Sequence, residues 1–432
     1  MPEARCLVQA LASGTADVQF AQLYGEGTGV LPFQLARYAG LIEHLVGTWP
    51  GDAAADVRLF SSPGRTEVGG NHTDHNAGRV LAAAVDLDIA AAVRAKDDGV
   101  IRVLSEGYPP FAIRMDELEP IDAERLTSAA LVRGVCARIK QLGYAIGGFD
   151  AALSGRVPKG SGLSSSAAFE VLIATILNHL YNGGGIPPIA VAQLSQYAEN
   201  VFFGKPCGLM DQTTCAIGGF VTIDFADFAN PVVRRVDFDF AHSGYTVVIV
   251  DTGGSHADLN DDYAAIRQEM KEVARALGGA VLRQCSKKTM LDRLPWLRTQ
   301  VSDRAILRAL HFFDDDQRVV QQVEALEARR FVDFLELVIA SGRSSWMLCQ
   351  NCYQPSDLRR QEVALALALS ADLLNGRGAW RVHGGGFAGT IQAFVPQDLV
   401  DPYVAAMQAL FGSGACHRLL VRPVGACELT PQ

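Results

Sequence analysis

Between an apolar run at Phe149 to Ser154 and a buried-looking helix from about Ser164 to Leu180, the chain reads Pro158-Lys159-Gly160-Ser161-Gly162-Leu163-Ser164-Ser165-Ser166-Ala167-Ala168. A strand, a glycine loop and a buried helix in that order call for a layered fold of sheet and helix. The loop carries neither common nucleotide fingerprint. Ser161 follows Gly160 where the P-loop needs lysine, and Ser165 stands where G-x-G-x-x-G needs its last glycine. The physics survives the mismatch. Glycines let the backbone approach a ligand, and serines at a helix start offer N–H groups, hydroxyls and the positive dipole end to an anion. A plain helix cap is the alternative, although it needs one serine rather than three.

A length of 432 residues suits two or three domains, at roughly 150 residues each. Lys and Arg total 38 against 47 Asp and Glu, a net charge of −9, which argues against nucleic acid or an anionic membrane as partner. The first thirty residues carry Glu3, Asp17 and Glu26 without a long apolar block, so no signal peptide is expected. No uninterrupted run reaches the ~18 apolar residues of a membrane span. Nine scattered cysteines read as reduced thiols, and the expected location is cytoplasmic.

Periodicity predicts helices over Pro32 to Leu45, 189–203, 259–277, 303–312, 316–340 and 357–374. Strands are expected at Val57 to Phe60, Val80 to Val93 and Tyr245 to Asp251, with a strand–turn–strand unit from Trp380 to Val395. The expected organisation is an extension over 1–30, one mixed domain over 31–230 and a second over 231–432.

Three further stretches concentrate polar groups. Ser62 to Asn76 packs arginine, glutamate, asparagine, histidine, threonine and aspartate between apolar segments. A solvated turn with side-chain caps is the structural alternative to a binding loop. His383 to Thr390 is glycine-rich and reads equally as a tight turn. Gly204-Lys205-Pro206-Cys207-Gly208-Leu209-Met210-Asp211-Gln212 holds Asp211 among apolar neighbours, either as a buried structural carboxylate or as a catalytic one.

The order P-G-R…H-T-D-x-N, P-x-G-x-G-L-S-S-S-A, P-C-G-x-M-D-Q and G-G-G-F-x-G resembles the galactokinases. These belong to the galactose, homoserine, mevalonate and phosphomevalonate (GHMP) kinase superfamily. The resemblance covers roughly residues 57–430. It implies an α+β, two-domain architecture with the active site in the cleft between the domains. The implied activity is transfer of the ATP γ-phosphoryl to the C1 hydroxyl of galactose or a galactose-configured sugar. The resemblance makes Asp211 the catalytic carboxylate and Arg65 its partner. It assigns sugar binding to Asn71, His72, Asp74, Gly208 and Tyr263. ATP falls to Gly160, Ser161, Gly162, Leu163, Ser164, Ser165, Ser166 and Ala167, and Mg²⁺ to Ser165 and Glu199. The implied partners are a small-molecule sugar and ATP.

Two departures stand in the sugar loop. The family's P-G-R-V-N becomes Pro63-Gly64-Arg65-Thr66-Glu67, and its G-E-H-T-D-Y becomes Gly70-Asn71-His72-Thr73-Asp74-His75. The family's glutamate at position 71 contacts the sugar's 6-hydroxyl. Asn71 in its place predicts relaxed or altered selection at C6, with galacturonate as an alternative acceptor. A non-catalytic, sugar- and ATP-responsive regulatory protein is the other alternative. Cys349-Gln350-Asn351-Cys352 is too isolated a pair to read as a metal site. Asp314-Asp315-Asp316 reads as the acidic start of a helix, and Cys207 as open to alkylation.

Overall fold

The computed structural model describes residues 4–12, 17–27, 29–50, 56–158, 160, 162–254 and 259–430. The first part of the chain forms α1 (Ala4–Ala12), α2 (Asp17–Tyr24), α3 (Val30–Thr48), β1 (Val57–Gly69), β2 (Arg79–Lys96), β3 (Val100–Ser105) and β4 (Phe111–Arg114). Next come α4 (Ser128–Gln141), β5 (Gly148–Gly155), α5 (Ser165–Tyr181), α6 (Pro188–Tyr197), α7 (Met210–Ile217), β6 (Phe220–Asp224) and β7 (Val232–Val236). The rest forms β8 (Tyr245–Asp251), α8 (Asn260–Ala276), α9 (Lys287–Asp292), α10 (Leu294–Leu297), α11 (Asp303–Glu327), α12 (Phe331–Ser344) and α13 (Glu362–Leu374). It ends with β9 (Ala379–Val382), β10 (Thr390–Pro396), α14 (Val400–Phe411), β11 (Cys416–Leu419) and β12 (Cys427–Leu429).

The first sheet runs β12-β1-β2-β5-β3-β4, with β6 also on β2 and β7 on β6. Alanines dominate β2 because helices cover both of its faces. Alternate residues point to opposite layers. Ala90 and Ala92 pack with α1 to α3, whereas Ala91 and Val93 join the core shared with α4 to α6. The N-terminal stretch expected only as an extension therefore supplies a layer: Leu7, Leu11, Phe20 and Tyr24 are buried beside Tyr38 and Leu41. A buried polar knot ties this layer down. Tyr24 Oη donates to Asp88 Oδ2 at 2.6 Å, Arg37 Nη1 donates to Asp88 Oδ1 at 2.7 Å, and Arg422 lies 3.7 Å from the same carboxylate.

The second sheet, β11-β8-β10-β9, is antiparallel throughout. In β8, Val247 and Ile249 face the core shared with the first sheet, while Val248 and Val250 face α13 and α14. The boundary expected near residue 230 falls inside the β6–β7 hairpin, and β12 returns to pair with β1.

Several local expectations change. The polar stretch 62–76 is not one loop, since β1 continues through Gly69 with pairing irregularities at Pro63/Arg65 and Glu67/Gly69. Such irregularities re-aim side chains at functional sites. Residues 303–327 form one unbroken helix, α11, because Asp314, Asp315 and Asp316 each find a cation and need not terminate it. These aspartates are mid-helix anchors, not an N-terminal cap. The helix expected over 189–203 ends in a π-turn, Ala198–Phe203, that carries Glu199.

Candidate active site

Arg65 sits on β1 in regular register between the two irregularities, opposite Ala84. Its guanidinium forms a fork on Asp211, which opens α7. Nε lies 2.7 Å from Oδ1 and Nη2 2.7 Å from Oδ2. Nη1 donates to the Gly162 carbonyl, so one side chain joins β1, the serine loop and α7. The Ser164 hydroxyl donates to Asp211 Oδ2. Burial pushes the Asp211 carboxyl up, but Arg65 and the hydroxyl outweigh it and hold the carboxyl below its ordinary range.

The serine loop arrives at the same place. Ser164 takes a left-handed conformation (φ 59°) just before α5, and Leu163 and Ala167 are fully buried. Gly160 is exposed; Ser161 and Lys159 lie outside the described residues. Ser165 occupies the first turn of α5, but the hydroxyl that reaches Glu199 belongs to Ser166, at 3.1 Å from Oε1. Gln212 Nε2 donates to Glu199 Oε2 at 2.9 Å and approaches Glu170 Oε2 at 3.4 Å. Burial and then the Glu199 charge push the Glu170 carboxyl well up, and its Oε1 has no partner although fully buried. Cys207 belongs to this cluster. Its thiol is pushed far up by burial and then by Glu199, which disfavours the reactive thiolate.

The sugar-loop residues pack against the third glycine stretch. Three successive carbonyls all accept: Gly384 from Asn71 Nδ2 at 2.8 Å, Gly385 from His72 Nε2 at 2.9 Å and Asn351 Nδ2 at 3.0 Å, and Gly386 from Tyr263 Oη at 3.0 Å. A side chain at Gly385 would strike the Tyr263 ring at 2.2 Å, so the approach demands glycine. Because a carbonyl only accepts, His72 carries its proton on Nε2 and leaves Nδ1 as an acceptor. Burial, then the neighbouring His75, lowers the His72 pKa to about 4, so the ring is neutral at physiological pH. Asp74 opens the short turn after it, and a Cβ at Gly208 would come within 3.2 Å of its Oδ2. The structure thus gathers His72, Asp74, Gly208 and Tyr263 round one region beside Arg65 and Asp211.

Asn71 is the correction. Its Nδ2 donates to Glu67 Oε1 at 2.9 Å as well as to Gly384, and its Oδ1 accepts from Asn351 at 2.8 Å and Ser345 at 3.2 Å. Its backbone N–H goes to Asp315 Oδ2 at 2.9 Å, and its carbonyl bonds His311 Nε2 at 2.8 Å. With 0% exposure and both donors and both acceptor positions used, the Asn71 side chain has nothing left to offer a sugar. It fixes the loop instead. Asp315, His311, Ser345 and Asn351 had no site role in the sequence reading, nor did Glu67, Glu170, Gln212 or Arg381. The one available signal was a charge interrupting an apolar run, as Glu170 does in α5 and Arg381 in β9.

Two family descriptions match: "GHMP kinases N terminal domain" over residues 130–219 and "Galactokinase galactose-binding signature" over residues 51–95. A galactokinase of Streptomyces coelicolor is 31% identical over 360 residues, covering 82% of this chain and 89% of that one. One from Actinobacillus pleuropneumoniae is 31% identical over 355 residues, covering 79% and 85%. The crystal structure of Lactococcus lactis galactokinase complexed with galactose superposes with a TM-score of 0.72 at 23% identity, over 96% of this chain and 99% of that one. Methanococcus jannaschii mevalonate kinase superposes at 0.60 with 14% identity, over 86% and 99%.

Proposed function

The chain belongs to the galactokinase family, and on that premise we propose that it transfers the γ-phosphoryl group of ATP to the C1 hydroxyl of galactose. The observation that carries the chemistry is the Arg65–Asp211 fork with Ser164 beside it. Phosphoryl transfer through a loose transition state asks mainly for positioning and charge stabilisation. A carboxylate kept ionised by Arg65 is a weak base. Its work is to accept a hydrogen bond from the attacking hydroxyl, orient it, and take the proton late. Arg65 keeps Asp211 charged and supplies positive potential beside the transferring group.

In this reading Gly160 to Ala167 and the N-terminus of α5 cradle the phosphates. The donors present fit a magnesium ion: Ser165, Ser166 and Glu199 offer hard oxygens, and the buried Glu170 Oε1 in the same cluster has no partner among the described residues. Bound there, the ion would offset charge on the nucleotide's phosphates. His72 through Nδ1 and Asp74 through its carboxylate accept from sugar hydroxyls, with Gly208 keeping the wall close. Tyr263 braces the glycine loop.

The intact fork speaks against a purely regulatory protein. Galacturonate is not favoured either, because both Asn71 donors are used and Glu67 and Asp74 would repel a second carboxylate. The eight described cysteines are free, which supports a reducing compartment such as the cytoplasm, and no described helix is long and apolar enough to cross a membrane. The test is ADP release with Mg²⁺ and ATP across a panel of monosaccharides. Galactose should give the highest kcat/KM, and a different best sugar would overturn the reading.

A further inference from the structure

The two departures in the sugar loop are reciprocal. Where the resembling family has asparagine at position 67 and glutamate at position 71, this chain has Glu67 and Asn71. The two side chains touch, Asn71 Nδ2 donating to Glu67 Oε1 at 2.9 Å. One amide and one carboxylate are kept, with their places exchanged.

The exchange changes which group faces the ligand. Asn71 is saturated by protein partners. Glu67 is only half used: Oε1 accepts from Asn71 and from Arg381 Nη2 at 2.8 Å, whereas Oε2 accepts nothing among the described residues. That oxygen is not among the sealed, unpartnered polar atoms, so it opens onto accessible space although the residue is only 7% exposed. Regular register over residues 65–67 puts Glu67 on the same face of β1 as Arg65, roughly 7 Å further along the strand. Asp74 lies close enough to act on its charge. A nine-tenths buried carboxylate with one oxygen clamped by an arginine and an amide, and the other left unpaired, is built to accept a hydrogen bond from a hydroxyl.

We propose that Glu67, rather than the loop residue at position 71, is the specificity residue of this enzyme, accepting the hydrogen bond of the sugar's 6-hydroxyl through Oε2. The proposal rests on the galactokinase reading and adds to it. Asn71 and Arg381 are positioning residues that fix the carboxylate's orientation. Selection at C6 is therefore retained, contrary to the relaxation that Asn71 alone predicts.

The experiment measures kcat/KM for galactose, 6-deoxygalactose and 2-deoxygalactose with wild type, Glu67→Gln and the double exchange Glu67→Asn/Asn71→Glu. Wild type should prefer galactose to the 6-deoxy sugar by fivefold or more. Glu67→Gln turns a charge-assisted hydrogen bond into a neutral one and should cut that preference about fivefold, leaving the galactose to 2-deoxygalactose ratio unchanged. The double exchange should restore the wild-type preference. Ratios between sugars on one enzyme preparation cancel any unfolded fraction, so a merely structural role would not move them. If Glu67→Gln lowers kcat/KM equally for all three sugars, Glu67 only holds the loop and the proposal is wrong. Should Glu67→Gln not fold, wild type and the double exchange decide it: a preference under twofold in either overturns the proposal. A wild type inactive on every sugar tested would defeat the galactokinase reading itself, an outcome distinct from active enzymes with unaltered ratios.

Discussion

The Arg65 guanidinium meets the Asp211 carboxylate edge to edge, two parallel contacts of 2.7 Å between residues 146 apart in the chain. Lysine carries the charge but not the fork. Arg65→Lys should therefore lower kcat by about 10²-fold, the scale of losing one oriented donor. Asp211→Asn should do at least as much, about 10²-fold or more, while the fold persists. Single-turnover kinetics beside thermal melting check both. Near-normal turnover in Asp211→Asn would remove it from the chemistry.

His72 yields a pH prediction. Its pKa is lowered to about 4, so the ring stays neutral from roughly pH 5 upward. Asp211, also held low, adds no inflection there. The acid limb of kcat/KM should be free of a histidine step between pH 5 and 7. A step near 6.5 that vanished in His72→Gln would contradict the neutral tautomer.

Glu199 accepts from two protein donors, Ser166 and Gln212. Glu199→Ala should raise the magnesium concentration for half-maximal activity by about tenfold or more. A titration with free Mg²⁺ at saturating ATP reads this directly, and an unchanged midpoint would take Glu199 out of the metal site.

Asp315 acts at a distance from the chemistry. It is fully buried and takes the Asn71 N–H at 2.9 Å, the Ser341 hydroxyl at 3.2 Å and Arg318 at 3.0 Å. Asp315→Asn weakens all three and should cost about 1–3 kcal/mol of stability. The sugar KM should rise several-fold while kcat changes little, since the loop loosens and the Arg65–Asp211 fork does not. Denaturant unfolding and steady-state kinetics separate the two effects.

Acid stability should depend on Glu428. Burial pushes its carboxyl up, yet His179 and Arg58 bring it down to about 2. A carboxyl whose folded pKa is depressed contributes stability above its unfolded value, about 4.3, and loses it as pH falls towards 2. Glu428→Gln lacks that contribution and should unfold at a higher pH on acid titration. Superimposable acid transitions would refute it.

Much of the site was legible because its chemistry is local. Arg65, Asp211, Ser164 and His72 sit in short segments whose glycines and polar density set them apart, and the structure brings those segments together. What stayed hidden was pairing across the chain. Asn71 looks like a ligand-facing group in the sequence, but neighbouring Glu67 and partners some 240 to 313 residues away occupy every one of its polar atoms. Glu67 looked like a lesser departure because its clamp, Arg381, lies 314 residues on. Helix ends were misjudged for a similar reason. Three consecutive aspartates read as a helix start, but Lys287, Arg318, Arg79 and Arg283 neutralise them inside α11. The N-terminal helices, only eight or nine residues each, were too short to announce a packed layer.

The pairing of β12 with β1 also orders events in time. Residues 427–429 lie against 59–61, a few positions from Arg65, and the glycine loop that holds His72 comes at 384–386. A nascent chain that has emerged only as far as Asp211 possesses Arg65, Ser164 and Asp211 and still lacks both supports. The sugar loop has nothing to rest on until the chain extends past Gly386, and β1 lacks its outer neighbour until β12 follows.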